Sequence, residues 1–289
     1  MTNVAVLLPA YNEEVAIASM ILLSSKYADE VIVIDDGSTD RTKEVSELAG
    51  ATVLSHKTNK GKGVALKTGF EYAKHYDIIV TIDADGQHNP SEIPLLIKPI
   101  EDGVADLVNG SRYINDKDTS TPKYRRIGQT VLDTATNVAA GVKLTDSQSG
   151  FRAFSSKCYD CFNFNPEGFG IESDMLIEAS NHNLKITEVE ITVRYDVNTT
   201  TANPVIQGMS VLLRVLELMR FNRPLYFYGI SGTIIMFFGI LIYLSINATQ
   251  LSGNLYLNAV GIFVILMGIV LILSGVLTDY LNRFKHWFN

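Results

Sequence analysis

Apolar and polar positions alternate along the first part of the chain in a strand–helix rhythm. VAVLLPA (4–10) is a short apolar run of the buried-strand type, and EVIVIDD (30–36), ATVLSH (51–56) and DIIVTID (77–83) repeat the pattern. Helical segments fall between them. Asn12 is the expected N-cap of the first, with Glu13 and Glu14 at its positive end and apolar residues recurring through Leu23. Ser38 and Thr39 are the expected caps of the second, GVALKTGFEYAKHY (63–76) is the third, and Pro90 to Ile100 a further one. Strands alternating with helices predict a mostly parallel sheet covered on both faces, whose ligands bind at the carboxyl ends of the strands.

The pattern changes after residue 206. GMSVLLRVLELMRFN (208–222) has helical periodicity with a narrow polar stripe of Arg214, Glu217 and Arg220, suited to lying in a membrane interface. Between Arg223 and Asp279 there is no Asp, Glu, Lys or Arg. That interval holds two apolar runs, 225–245 and 255–275, the second continuing to about 278, each long enough to cross a hydrocarbon core as a helix. A helical hairpin buried in a soluble core is the alternative reading. Arg214, Arg220 and Arg223 precede the first run, Arg283 and Lys285 follow the second, and the turn between is uncharged. Both termini are therefore expected in the cytoplasm. The N-terminus lacks a basic leader pattern and turns acidic quickly, so no signal peptide is expected. The expected organisation is a cytoplasmic domain over 1–206, an interfacial helix over 207–223 and a transmembrane hairpin over 224–289.

Composition adds exclusions. A formal charge of −7 argues against non-specific nucleic-acid binding. Cys158 and Cys161 form a CYDC pair with neither a second ligand pair nor a redox context, and read as reduced cytosolic thiols. Asn247-Ala-Thr249 matches a glycosylation acceptor but lies too close to the expected membrane. INDKDTSTPKY (114–124) and DVNTTTANPVI (196–206) lack periodicity and read as connectors or lids.

Carboxylates stand at three strand ends: Glu13 after Pro9 and Tyr11, Asp35 and Asp36, and Asp83 and Asp85. Clusters at successive strand ends point to a cation-and-ligand site more than to surface decoration. Asp83, Asp85 and the Gln87 carbonyl make an oxygen-rich set suited to Mg²⁺ or Mn²⁺. The acidic series is wrong for an EF-hand, and NKGKGVA (59–65) is neither a P-loop nor a dinucleotide fingerprint, so Lys60 and Lys62 read as a solvated turn, either of which could approach a phosphate.

Six motifs occur in order: LLPAYNEE (7–14), VIDDGSTDRT (33–42), NKGKGVALKTGF (59–70), TIDADGQHNP (81–90), NGSRY (109–113) and DSQSGFRAF (146–154). Together they resemble the family-2 glycosyltransferases, in the branch of dolichyl-phosphate mannose synthase and the polyprenyl-phosphate glycosyltransferases, over about residues 3 to 195. The resemblance implies an α/β GT-A fold with a Rossmann-like, mostly parallel sheet, followed here by the juxtamembrane amphipathic helix and the two-helix hairpin. It implies a nucleotide-diphosphate sugar donor (GDP-mannose, UDP-glucose or UDP-N-acetylglucosamine), a polyprenyl or dolichyl monophosphate acceptor in the bilayer, and Mg²⁺ or Mn²⁺ as cofactor. Carried over by position, Pro9, Tyr11, Glu13, Ile34 and Asp36 would contact the donor's base and ribose. Asp83, Asp85 and Gln87 would hold the metal on the diphosphate, with Ala84 alongside. Arg112 would bind phosphate near the reacting centre, Arg126 the lipid phosphate, and Arg194 would close over the donor. Asp85, Arg112 and Arg126 are thus the expected catalytic residues, whereas Arg125 reads as a surface residue. The expected reaction inverts the anomeric carbon at the cytoplasmic membrane face, and a homo-oligomer is compatible with the hairpin. Two alternatives stand beside it: transfer to a hydroxyl of a lipid-linked glycan with Asp174 as base, and a non-catalytic membrane module that binds nucleotide sugar. Processive polymer synthesis is not expected, because the Q-x-x-R-W signature is missing and the single Trp is Trp287.

Overall fold

The protein was analysed as a computed structural model, which describes residues 2–114, 123–163, 170–194, 204–248 and 255–287. The segments expected as connectors or lids lie largely outside the described residues, as do the turn at 249–254 and the Arg125, Arg283 and Lys285 side chains. The chain divides into two compact units, Met1–Val215 and Leu216–Asn289.

Seven strands build the first unit: β1 (Val4–Ala10), β2 (Glu30–Asp35), β3 (Thr52–Ser55), β4 (Ile78–Thr81), β5 (Leu107–Ser111), β6 (Arg152–Ser155) and β7 (Ile186–Glu190), in the order β3-β2-β1-β4-β6-β5-β7. Strand β6 runs antiparallel to both β4 and β5, and the other described pairings are parallel. The sheet is thus mostly parallel, as the rhythm of the sequence predicts. Each face is sealed by helices, because alternate residues of the apolar strands point to opposite sides. Val4, Val6 and Leu8 pack with α1 (Ile17–Ser24) and α4 (Ile93–Glu101), while Ala5 and Leu7 pack with α3 (Lys62–Ala73) and α6 (Ile171–Asn181). Helix α2 (Thr42–Leu48) follows β2, α5 (Lys123–Ala140) follows β5, and the unit's sequence ends at Val215, within α7 (Pro204–Asn222).

Two capping expectations are corrected. Helix α1 begins only at Ile17, with Ala16 at its N-cap, and α2 begins at Thr42 behind Arg41; neither N-cap residue makes a side-chain capping bond. Asn12, at φ +56°, instead accepts a hydrogen bond from the Thr39 amide at 2.8 Å, while its own amide donates to Ser38 Oγ at 3.0 Å. The Glu13 amide donates to Thr42 Oγ1 at 2.7 Å. These polar residues therefore tie the β1 end to the β2 end. A sequence window sees a capping residue but not its competing partner 27 positions away.

The second unit contains α8 (Pro224–Asn247) and α9 (Leu255–Trp287). Within them, Pro224–Asn247 and Leu255–Asn282 are long and apolar enough to cross a membrane, with mean hydropathy 2.1 and 2.9 and little of either buried. The helices meet through glycines: a Cβ on Gly232 would lie 2.6 Å from the Gly268 carbonyl oxygen, and one on Gly239 would lie 2.7 Å from the Ile265 nitrogen. Small residues that let helix backbones touch suit association in lipid, where dispersion replaces the hydrophobic drive.

Candidate active site

Strands β1, β2 and β4 are parallel neighbours, so the three carboxylate-bearing strand ends share one edge of the sheet. At the β4 end, burial alone would raise the Asp83 carboxyl, but the Lys62 ammonium, with His88 and Arg112 also contributing, holds it below the usual range. Lys62 Nζ lies 2.5 Å from Asp83 Oδ1 and 2.7 Å from Glu172 Oε1. Burial opposes the ammonium's charge, yet the two carboxylates keep its pKa above the ordinary lysine value. Lys62 is therefore not a solvated turn residue; its side chain is one-third exposed and it joins α3, the β4 end and α6.

Asp85 is turned back by the loop, accepting the Gln87 amide at 3.0 Å, and burial followed by the Asp83 charge raises its pKa. Glu13 is pushed up to about 7, by burial first and then by Asp85, Asp40 and Asp83. The first and fourth strand ends are thus electrostatically one site. Among the described residues no three His, Cys, Asp or Glu side chains surround one point. The available protein ligands are two carboxylates and an amide, a set that suits a hard cation completing its shell with water and phosphate oxygens. Two features fit such an ion. The Lys62 ammonium already stands as a cation on Asp83, and Gly150 leaves room beside that carboxylate, since a Cβ there would sit 2.6 Å from Asp83 Cγ. A Gly150→Ala substitution is expected to displace Asp83 and lower activity at this site about a hundredfold, a loss typical of a misplaced site group. A thermal midpoint within a few degrees of wild type would accompany that loss, because the collision falls on a side chain and not on backbone.

A second cluster lies at the β5 end. Arg112 grips the fully buried Asp146 through two bonds, Nε to Oδ2 at 2.6 Å and Nη2 to Oδ1 at 2.8 Å. Gln129 donates to Asp146 Oδ1 at 2.9 Å and accepts from the Tyr113 hydroxyl at 2.8 Å. The Arg126 guanidinium stacks on the Tyr113 ring, 3.7 Å from its centroid, and its Nη1 is buried without a hydrogen-bond partner among the described residues. A buried donor in that condition costs about 1–3 kcal/mol until an acceptor meets it. The DSQSG stretch joins the two clusters: it supplies Asp146 to Arg112 and Gly150 to Asp83, and Thr81 Oγ1 donates to the Gly150 carbonyl at 3.0 Å.

The remaining expected residues divide. Arg194 reaches the site by its backbone, its amide donating to the Gln87 carbonyl at 2.9 Å, beside a bridge between His88 and Val193. Burial holds the His88 imidazole down to about 4, so it is neutral at pH 7. Tyr11 is exposed, Pro9 is partly exposed, and Ala84 is almost fully buried beside the two aspartates. Ile34 is sealed in the core, so its side chain supports the edge by packing. Asp36 is 3% exposed and accepts from the Lys60 and Gly61 amides at 3.0 and 2.7 Å, with His56 Nδ1 2.6 Å from its Oδ1. Its carboxylate anchors the NKGK loop. Asp174 is buried on α6 and pairs with Arg214 at 3.2 Å. Cys158 and Cys161 are free thiols. Sequence reasoning missed Glu172, Asp146 and Gln129; Asp146 stands within the DSQSGFRAF motif, and the other two lie outside the six motifs.

The chain matches the model described as Glycosyl transferase family 2 over residues 5–162. It is 30% identical over 285 residues to glycosyltransferase AglJ of Haloferax volcanii, covering 96% of this chain and 92% of that relative. It is 34% identical over 236 residues to UDP-N-acetylglucosamine–dolichyl-phosphate N-acetylglucosaminyltransferase of Methanococcus voltae, covering 73% of this chain and 94% of the relative. Among solved structures, glucosyl-3-phosphoglycerate synthase from Mycobacterium tuberculosis in complex with Mn²⁺ and UDP-glucose is similar at a TM-score of 0.60 and 27% identity, covering 75% of this chain and 79% of that one.

Proposed function

Because the chain belongs to glycosyl transferase family 2, as a glycosyltransferase of GT-A-like α/β fold, we propose that it moves a single hexose from a nucleotide-diphosphate sugar to a polyprenyl monophosphate at the cytoplasmic face of a membrane. The observation that carries this reading is the pairing of two clusters at one sheet edge. One is acidic and suited to a cation (Asp83, Asp85); the other is a cationic group centred on Arg126, with a buried donor unmet among the described residues. Relatives named for dolichyl-phosphate and undecaprenyl-phosphate acceptors, and the two candidate spans, support a lipid-borne acceptor.

The proposed roles follow from the geometry. Asp83, Asp85 and Gln87 would hold Mg²⁺ or Mn²⁺, which supplies charge neutralisation for the departing diphosphate. Asp146 and Gln129 fix the plane of Arg112, so that its charge acts on the donor side without reorganising during reaction. Arg126 presents its buried Nη1 to the acceptor phosphate, with Tyr113 holding the guanidinium flat beneath it. The acceptor's phosphate oxygen is anionic at neutral pH, so its attack opposite the leaving group needs no general base and inverts the anomeric carbon. Asp174, already neutralised by Arg214, fits a structural pairing better than the role of base.

Incubating membranes containing the protein with radiolabelled GDP-mannose, UDP-glucose or UDP-N-acetylglucosamine plus polyprenyl phosphate tests this reading. Label is expected in an organic-phase product that mild acid releases, and EDTA should abolish its formation. Product formed only on a glycan acceptor, or formed equally in EDTA, would contradict it.

A further inference from the structure

Lys62 is the residue whose placement the cation-and-donor scheme does not absorb. It begins α3 directly after Gly61, which has φ +90°, so the turn aims the side chain across the strand ends rather than along the helix. There its ammonium bridges Asp83 Oδ1 and Glu172 Oε1 at 2.5 and 2.7 Å. Asp83 is also one of the two carboxylates available to a cation. An ammonium and a divalent ion cannot share Asp83 Oδ1 closely, since their mutual repulsion at such separations exceeds thermal energy several-fold even in a partly hydrated site.

Resting on the functional reading above, we propose that Lys62 competes with the divalent cation for Asp83, and that a donor diphosphate relieves the competition. When the cation takes Asp83, the ammonium keeps Glu172 and gains the diphosphate as its second anionic partner. The exchange couples two binding events. Cation alone must displace Lys62 with no new partner offered, and so binds weakly. Cation together with nucleoside diphosphate provides one, so each tightens the other by the same factor. Glu172 is the hinge of the exchange, because it holds the ammonium in both arrangements. Charge is what competes: a neutral side chain of the same length has no claim on the carboxylate.

Mn²⁺ titration of the full-length protein in detergent, followed by calorimetry with and without UDP or GDP, reads this directly and independently of turnover. Wild-type protein is expected to bind Mn²⁺ weakly alone and more tightly with nucleotide. Lys62→Met should bind Mn²⁺ alone about tenfold tighter, the gain from removing one nearby like charge, and nucleotide should then tighten it less. Lys62→Arg should stay near wild type, because it retains the competing charge. Lys62→Gln must move in the same direction as Lys62→Met, which guards against a local effect of Met on the start of α3. Wild-type binding of Mn²⁺ with no tightening in either neutral variant would overturn the competition alone. No Mn²⁺ binding in any of these proteins, with either nucleotide, would overturn both the competition and the functional reading.

Discussion

Replacing Asp85 with Ala is expected to lower transfer activity by about 10²–10³-fold, the loss typical when a preorganised charge-stabilising element is removed. Stability should not fall with it. Burial and the Asp83 charge disfavour the ionised Asp85 carboxyl, so its removal relieves repulsion in the folded protein. Activity assays on membranes and the thermal midpoint of the purified variant, taken together, separate the two effects. Full activity in Asp85→Ala would remove the cation from this edge of the sheet. A large drop in midpoint would instead recast Asp85 as a structural residue.

Replacing Arg152 with Met is expected to destabilise the first unit by about 3–5 kcal/mol, the range for removing one member of a buried charged network. Arg152 is 1% exposed. Its Nε donates to Asn109 Oδ1 at 2.9 Å, Nη1 to the Glu172 carbonyl at 2.7 Å, and Nη2 to the Ser147 carbonyl at 2.8 Å. Burial lowers its pKa to about 10, well above neutrality, so the charge persists. One guanidinium thus fastens β5, the DSQSG loop and the first turn of α6, which carry Asn109, Gly150 and Glu172. Met fills the space but takes a donor from all three oxygens, and a buried acceptor left unmet, as at Asn109 Oδ1, costs about 1–3 kcal/mol. Thermal unfolding in detergent should show a midpoint lowered on the order of 10 °C. An unchanged midpoint would mean that the loop and α6 are held by packing alone.

The contrast between Arg152 and Asp85 shows what the sequence could disclose. Asp85 was legible because the β4 apolar run ends at once in D-x-D, and a strand end in a parallel sheet is where ligands bind. The sheet itself was legible for the same reason: β1, β2 and β4 are unbroken apolar runs of strand length. Arg152 was not, since an arginine in a strand of four residues reads as solvent-facing until the sheet places it between two buried neighbours. Lys62 misled in the opposite way. NKGKG has the composition of a surface turn, and only the meeting of α3 with α6, 110 residues apart, turns its second lysine inward. The capping residues Asn12 and Ser38 failed for a related cause, because each had a longer-range partner that local propensity cannot register. Periodicity therefore located the edge of the sheet, and tertiary hydrogen bonds decided which side chains occupy it.

The central claim is that the acceptor is a phosphate carried by a lipid. The most direct measurement supplies purified protein, Mn²⁺ and a nucleotide sugar with either a polyprenyl monophosphate or the same polyprenol without its phosphate, and reads the lipid products by mass spectrometry. The expected result is a polyprenyl phosphate heavier by one hexosyl unit, and no product from the polyprenol. Equal glycosylation of the polyprenol, or addition of sugar only to a non-lipid acceptor, would contradict the account.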